Sequence, residues 1–322
     1  MKRREGLLSI VVPAFNERAC LPELVARVER ALAPSARRYE VIVVDDRSTD
    51  GTFDVVRELA ARDGRIRGAR LSKNSGSQNA LWCGIGRARG DAVVMLDADL
   101  QHPPENLPRM LEAWEGGFDV VNMLRRDPQQ LGFVRGVPTR VFYALFAGMS
   151  DVPLSRNSTD FRLLDRRCVD ALLGMPEQVR FIRGMVSHVG FEQTEIVFDA
   201  PARFAGTSGY TMSKLLAVAT DALFAFAPRV LIVPLYTGAL TLAATIALTV
   251  AASRGPTLPG GLMITLAILA TGLLWSLLFV FLGVLGAYLS RLAAEVKGRP
   301  SHFVDEVVGF EAEGGPDPTR SA

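Results

Sequence analysis

Cysteine and histidine are scarce in this sequence, and their scarcity limits the metal and redox chemistry that it can support. The 322 residues include three histidines and three cysteines, Cys20, Cys83 and Cys168. No CxxC pair occurs, which argues against a disulfide framework and against a zinc site built from cysteine and histidine. We therefore expect the chain to work in a reducing compartment.

The phosphate loops of common nucleotide-binding folds are also lacking. No GxxxxGK[ST] run is present, and Gly76, Gly84 and Gly86 do not match GxGxxG. The sequence therefore contains no motif typical of a P-loop ATPase or of a dinucleotide-dependent dehydrogenase. The net charge is only +2, and no basic stripe with interleaved aromatic residues occurs, so we expect no nucleic-acid partner.

Charge is almost absent from a long apolar region towards the C-terminus. Between residues 230 and 290 the only charged residue is Arg254. The apolar segments on its two sides are each long enough to cross about 30 Å of hydrocarbon as a helix. The link between them is short and rich in glycine and proline, which predicts a hairpin of two transmembrane helices at 230–253 and 261–290. Buried core helices are the alternative.

Basic residues lie on both outer flanks of this hairpin, so the positive-inside rule places both termini in the cytoplasm. Residues 211–229 combine an apolar stripe with polar residues on the opposite face, which predicts an interfacial amphipathic helix; a core helix is the alternative. Residues 1–210 then form a cytosolic domain, and residues 291–322 form a cytosolic tail. The flanking basic residues are Lys214, Arg229, Arg291, Lys297 and Arg299.

The first 210 residues alternate short apolar runs with amphipathic segments. This alternation predicts an α/β domain with a largely parallel sheet, in which ligands bind at the carboxyl ends of the strands. The predicted strands are 8–12, 40–44, 66–71, 92–96 and 120–123, and the predicted helices are 21–32, 52–62, 78–89 and 104–114.

Two carboxylates follow the fourth predicted strand, within the segment 93–105, VVMLDADLQHPPE. Asp97 and Asp99 are two residues apart, so a continuing strand would place them on one face. Their charges would repel by roughly 3 kcal/mol at an effective dielectric constant of about 20. Mg²⁺ or Mn²⁺ bound between them and substrate phosphates would offset this repulsion. An acidic turn that closes the strand is the alternative.

Further polar residues follow the first two predicted strands. Asn16 and Glu17 come after the first, and Asp45 and Asp46 come after the second. All of them would face the same crevice as Asp97 and Asp99. The N-cap region of the next helix, residues 48–51, is an alternative explanation for the acidity near Asp46.

Three segments in this order and spacing resemble glycosyltransferase family 2: SIVVPAFNE at 9–17, VDDRSTDGT at 44–52 and DADLQHPPE at 97–105. The segments DFRL at 160–163, RFIRG at 180–184 and RFAGTSGY at 203–210, with the closing hairpin, are similar to one group within it. That group contains the polyisoprenyl-phosphate glycosyltransferases, namely dolichol-phosphate mannose synthases and undecaprenyl-phosphate sugar transferases.

The resemblance implies a GT-A domain, which is a Rossmann-like nucleotide-sugar-binding fold, followed by the interfacial helix and the hairpin. It implies a membrane-bound inverting enzyme of the bacterial inner membrane. The enzyme would move a sugar from a nucleotide sugar, UDP-linked in preference to GDP-linked, to a polyisoprenyl phosphate such as undecaprenyl phosphate. The product would serve cell-envelope glycan or glycolipid modification, and relatives suggest a homotetramer.

The resemblance also implies roles for individual residues. The nucleoside pocket would be lined by Pro13, Phe15, Glu17 and Asp46. A Mg²⁺ or Mn²⁺ ion on the donor diphosphate would be held by Asp97, Asp99 and Gln101, with Arg203 near the same diphosphate. The acceptor phosphate would contact Arg125 and Arg140, and Asp160 falls where a base or an acceptor-site residue is expected.

Two other functions remain open from the sequence. A processive polysaccharide synthase shares the acidic segments but typically has a QxxRW motif, and none of Trp82, Trp114 and Trp275 lies in one. A non-catalytic membrane scaffold that binds a nucleotide sugar is the other alternative, and the intact set of Asp97, Asp99 and Gln101 argues against it.

Overall fold

A mixed sheet of eight strands organises the residues that the structure describes. The computed structural model describes residues 6–126, 158–178, 180–201, 236–243, 246, 250 and 260–310. The strands are β1 (Leu8–Ala14), β2 (Tyr39–Asp45), β3 (Ile66–Leu71), β4 (Ala92–Met95), β5 (Val120–Arg125), β6 (Ser158–Asp165), β7 (Gln193–Phe198) and β8 (Val304–Val308). The helices are α1 (Leu21–Leu32), α2 (Thr52–Arg62), α3 (Ser77–Arg87), α4 (Leu107–Glu115), α5 (Arg166–Leu173), α6 (Ile182–His188) and α7 (Gly260–Lys297).

The strand order is β7-β5-β6-β4-β1-β2-β3-β8. Strands β4, β1, β2 and β3 are parallel neighbours, and β5 and β7 are parallel to each other. Strand β6 runs antiparallel between β4 and β5. The amino end of β6 therefore lies at the same edge of the sheet as the carboxyl ends of β1, β2 and β4.

The central strands are buried on both faces, as expected for a parallel sheet covered by helices. One face packs against α1, α2 and α4, and the other against α3, α5 and α6. Helix α3 approaches β1 closely, since a Cβ at Gly84 would lie 2.3 Å from Cγ1 of Val11. A larger residue at this position would push α3 away from the sheet and displace its first turn.

The predicted α/β domain is confirmed, and all five predicted strands and four predicted helices form. The sheet is less parallel than predicted, because β6 and β8 add antiparallel pairs that the sequence pattern did not indicate. Strand β4 ends at Met95 rather than at residue 96, and a 3₁₀ turn at Pro104–Asn106 precedes α4.

Outside the sheet and the helices that cover it, the described residues contain one helix long and apolar enough to cross a membrane. It covers Ala270–Lys297, with a mean hydropathy of 2.1 in its most apolar window. The predicted interfacial helix at 211–229 and most of the first predicted transmembrane helix lie outside the described residues. After α7 the chain returns to the sheet as β8, where Glu306 forms a bidentate ion pair with Arg57.

Candidate active site

Backbone strain concentrates where strands β1, β2 and β4 end. Four non-glycine residues among those described have positive φ angles, and three of them are Asn16, Arg47 and Leu100, at 58°, 63° and 62°. A left-handed conformation costs an L-residue roughly 1–2 kcal/mol. Such strain tends to persist at functional sites, where the surrounding structure enforces it. This edge of the sheet is therefore the candidate site.

The loops after β1 and β2 are bound to each other. The Asn16 amide N–H donates to the Ser48 hydroxyl at 2.9 Å, and the Asn16 side-chain oxygen accepts from the Thr49 amide at 2.9 Å. The amide of Glu17 donates to the Thr52 hydroxyl at 3.0 Å. Residues near Glu17 are thus held against the start of α2, which fixes one wall of the site.

Asp45 and Asp46 are both buried and accept from backbone amides, and Asp45 also forms an ion pair with Arg70 at 3.3 Å. Asp46 accepts from the amides of Ser75 and Gly76 at 2.6 and 2.8 Å, just before α3. Asp45 accepts from the Ser48 amide at 3.2 Å. Burial raises the pKa of both carboxyl groups above its usual range, although these hydrogen bonds oppose the shift. Asp46 therefore joins the β2 and β3 loops at the predicted nucleoside pocket.

Pro13 and Phe15 occupy opposite environments at the end of β1. Pro13 is buried within the strand, opposite Val44 of β2. Phe15 retains 45% exposure, which is unusual for a large aromatic side chain at a strand end. An exposed ring at this edge offers a flat apolar surface to a planar ligand.

Asp97 and Asp99 lie in a turn rather than in a strand. Because β4 ends at Met95, the predicted alternation along a continuing strand is wrong, and the turn places the two carboxylates. Buried Leu100 anchors the turn in the core, and Asp99 accepts from the Gln101 amide at 3.0 Å. The Asp97 amide donates to Nδ1 of His102 at 3.2 Å.

The side chain of His102 links this turn to the sheet. Its ring is buried and stacks on Phe161 of β6, with 5.1 Å between the ring centroids. Phe198 of β7 meets the same ring edge-on at 6.1 Å. The imidazole therefore connects the acidic turn to β6 and β7, a role that the sequence did not reveal.

The protein environment disfavours ionisation of the Asp97 carboxyl group. Its side chain is 43% exposed, yet it lies at the base of the strand-end edge, surrounded by protein atoms. Desolvation raises its pKa and the negative charges of Asp160 and Asp99 raise it further, while His102, whose Nδ1 lies 3.3 Å from an Asp97 oxygen, and Arg183 oppose them. A cation placed beside Asp97 would reverse these effects.

The donor set at the turn suits a hard divalent cation. Across the described ranges no group of three or more histidine, cysteine, aspartate or glutamate side chains is arranged as a metal site. Mg²⁺, however, commonly takes one or two carboxylates and completes its shell with water and substrate phosphates. Asp97 and Asp99, with the half-buried amide Gln101 next to them, fit this requirement.

Asp160 lies on β6 beside the turn and is held by two side chains. Arg183 of α6 donates to its two oxygens at 2.8 and 3.2 Å, and Gln78 of α3 donates at 3.0 Å. Desolvation would raise the pKa of Asp160, but Arg183 and the buried Arg162 outweigh it and lower this pKa to about 2. The carboxylate is therefore ionised, and both of its oxygens accept hydrogen bonds.

The predicted arginines are only partly placed. Arg125 is half-buried at the carboxyl end of β5, at the same edge as Asp160. Arg140 and Arg203 lie outside the described residues. The sequence missed the contributions of Gln78, His102 and Arg183; the RFIRG segment containing Arg183 was the available signal, but it indicated no partner.

Comparison with known proteins places these features in a family. The model of Glycosyl transferase family 2 matches residues 9–173. An uncharacterized glycosyltransferase of Synechocystis sp. is 36% identical over 309 residues, covering 94% of this chain and 96% of the relative. An undecaprenyl-phosphate 4-deoxy-4-formamido-L-arabinose transferase of Aeromonas hydrophila is 32% identical over 317 residues, covering 94% of each chain.

Among solved structures, a mannosyltransferase from Pyrobaculum calidifontis in complex with GDP-Man and Mn²⁺ is 20% identical and covers 92% of this chain and 87% of that one. Its TM-score of 0.43 is too low for the likeness to support an argument. The family match and the near-full-length relatives are sufficient, together with an α/β sheet of the GT-A kind. The chain belongs to glycosyl transferase family 2 and is a glycosyltransferase.

Proposed function

We propose that this enzyme transfers a sugar, with inversion, from a nucleotide sugar to a polyisoprenyl phosphate such as undecaprenyl phosphate. The observation that carries the proposal is the similarity to the Aeromonas hydrophila undecaprenyl-phosphate transferase, which extends over 94% of both chains and so includes the apolar C-terminal region. A product of this kind would supply sugar for cell-envelope glycans or glycolipids.

The donor half of the site is assigned to the ends of β1, β2 and β4. Phe15 would face the nucleoside, while Pro13, Glu17 and Asp46 shape the pocket around it. Mg²⁺ or Mn²⁺ would be held by Asp97, Asp99 and Gln101, whose oxygens suit such an ion. When bound, the ion would neutralise the nucleotide diphosphate as it leaves the sugar. We favour UDP over GDP as the nucleotide.

The acceptor half is assigned to basic residues. A lipid phosphate is already an anion at neutral pH, so it needs positioning rather than deprotonation. Arginine suits this task because its planar fork binds phosphate oxygens in bidentate fashion. We assign the acceptor phosphate to Arg125 and Arg140, and the donor diphosphate to Arg203.

The membrane arrangement follows from the apolar segments. We propose an interfacial helix at 211–229 and a hairpin of transmembrane helices at 230–253 and 261–290, with the 1–210 domain and the 291–322 tail in the cytoplasm. The exposed apolar helix α7 supports the second of these helices. A hairpin beside the site would bring a water-soluble donor and a lipid acceptor to one interface. The assembly would be a homotetramer in the bacterial inner membrane.

Transfer of radiolabel into organic-extractable lipid tests the proposal. Purified protein, undecaprenyl phosphate and Mg²⁺ or Mn²⁺ are incubated with UDP-glucose, UDP-N-acetylglucosamine or GDP-mannose. We expect metal-dependent label with one donor and a loss of about 100-fold or more in Asp99→Asn. Asp170→Asn, at an exposed position of α5, is the matched control and should retain activity.

Two results would contradict the proposal. Near-native turnover in Asp99→Asn would remove the metal assignment. Nucleotide-sugar binding without transfer from any donor, including modified aminoarabinose donors, would favour the non-catalytic scaffold instead.

A further inference from the structure

The contacts around Asp160 form a closed ring of three structural elements. Asp160 lies on β6, Arg183 on α6 and Gln78 in the first turn of α3. Besides donating to Asp160, the Gln78 amide oxygen accepts from the Ile182 backbone amide at 3.2 Å. Each of the three elements is therefore linked to the other two. We call Asp160, Arg183 and Gln78 the β6 clamp.

The clamp leaves Asp160 little capacity to act as a base. A general base needs a free lone pair within reach of the proton that it removes. Both Asp160 oxygens accept charge-assisted hydrogen bonds from Arg183, and the second also accepts from Gln78. Only 14% of the Asp160 side-chain surface is exposed.

The clamp also controls charge next to the acidic turn. Strands β4 and β6 are adjacent, with Met95 opposite Arg162. Asp160 and Asp97 are close enough to repel, while Arg183 attracts both. The ion pair with Arg183 holds the Asp160 carboxylate in place beside that turn.

We propose that Arg183 and Gln78 are positioning residues for sugar transfer and that Asp160 is their fixed counter-ion rather than the catalytic base. This inference rests on the proposed function and assigns roles within the same site. The clamp keeps the start of β6 in place beside the acidic turn, and it holds the Asp160 carboxylate between Arg183 and Gln78.

A double-mutant cycle in kcat separates the two roles of Asp160. For a clamp, Asp160→Asn and Arg183→Met should each lower kcat by a similar factor, about 10- to 100-fold, and the double variant should lose little more than the worse single variant. Arg183→Lys should recover part of the loss, since lysine keeps the charge but not the fork.

A catalytic base would behave differently. Asp160→Asn would then cost far more than Arg183→Met, by the factor of about 10²–10⁴ that a general base contributes. The acid limb of the kcat profile against pH would also disappear in Asp160→Asn. Either result would overturn the proposal. Arg65→Met, which breaks an ion pair with Asp63 at the opposite edge of the sheet, is the control and should leave kcat unchanged.

The wild-type protein, the two single variants Asp160→Asn and Arg183→Met, and the double variant also give a readout that needs no substrate. The changes in melting temperature that the two substitutions cause in detergent should be non-additive. The double variant should melt at most about one or two degrees below the worse single variant. Additive shifts would overturn the clamp even if transfer occurs. Conversely, non-additive melting with no transfer by the wild-type protein would contradict the proposed function and remove the catalytic part of this inference with it.

Discussion

The end of β4 and the start of β6 lie side by side in the sheet, yet the pKa values of their aspartates shift in opposite directions. Burial and neighbouring carboxylates raise the pKa of Asp97. Asp160 is less exposed, but Arg183 lowers its pKa to about 2. Burial therefore does not decide the difference. The ion pair with Arg183, which donates to both oxygens of Asp160, accounts for the difference.

This contrast separates the roles of the two carboxylates. Asp160 already has its cation, supplied by α6, and its charge is fixed by the fold. Asp97 lies in a strained turn, and Asp160 and Asp99 increase its cost of ionisation. Two titratable groups with pKa values driven apart by their surroundings commonly have separate functions. We infer that the Asp160 carboxylate on β6 is a fixed charge of the fold, whereas the carboxylates of the β4 turn bind an added cation.

The largest expected effect is the response of Asp97 to metal. A divalent cation at about 100 times its dissociation constant should stabilise the wild-type protein by about 2.7 kcal/mol. A raised pKa in the folded state means that stability is lost as pH rises through that pKa, so ionised Asp97 destabilises the metal-free protein near neutral pH. Asp97→Asn should therefore melt higher without metal and respond little to Mg²⁺ or Mn²⁺.

Thermal unfolding in detergent, with chelator or with each metal, measures this response. Asp170→Asn on the surface of α5 should behave as the wild-type protein does in both conditions. If metal stabilised Asp97→Asn as much as the wild-type protein, the β4 turn would not be the place where the cation binds.

A smaller effect of opposite sign is expected at Asp160. Its pKa is lowered from 3.8 to about 2, so its charge stabilises the fold above about pH 4, and this stabilisation is lost as pH falls towards 2. The shift corresponds to about 2 kcal/mol. Asp160→Asn should melt lower than the wild-type protein near neutral pH, and the difference should shrink in acid.

Melting temperatures from pH 6 to about pH 2.5 check this prediction. Parallel profiles for the two proteins would mean that Asp160 has no altered pKa, and the contrast with Asp97 would then lose its explanation.

The sequence predicted the β4 turn better than it predicted strand β6. The acidic turn is local, and its motif identifies Asp97 and Asp99 from the sequence alone. The parallel strands were also predictable, because β1, β2 and β4 are continuous apolar runs. Strand β6 was not, since five of its eight residues are polar or charged, including Asp160 and the buried Arg162.

Long-range partners account for most of what was missed. Gln78 is 82 residues from Asp160, and Arg57 is 249 residues from its partner Glu306 in β8. No periodicity links such residues, because the sheet order alone brings them together. The sequence also predicted a shared face for Asp97 and Asp99 from a continuing strand, although the left-handed Leu100 turns the chain there.

The smallest expected effect concerns the neutral member of the clamp. Gln78→Met keeps the length of the side chain but removes its hydrogen bonds to Asp160 and Ile182, at a cost of about 1 kcal/mol. Arg183 still holds both Asp160 oxygens in this variant, so kcat should fall only a few-fold. Gln78→Glu places a carboxylate against Asp160 and should be worse than Gln78→Met in both melting temperature and kcat. If Gln78→Met instead cost as much as Arg183→Met, geometry rather than charge would hold Asp160, and the opposite pKa shifts of the two strands would be incidental to the site.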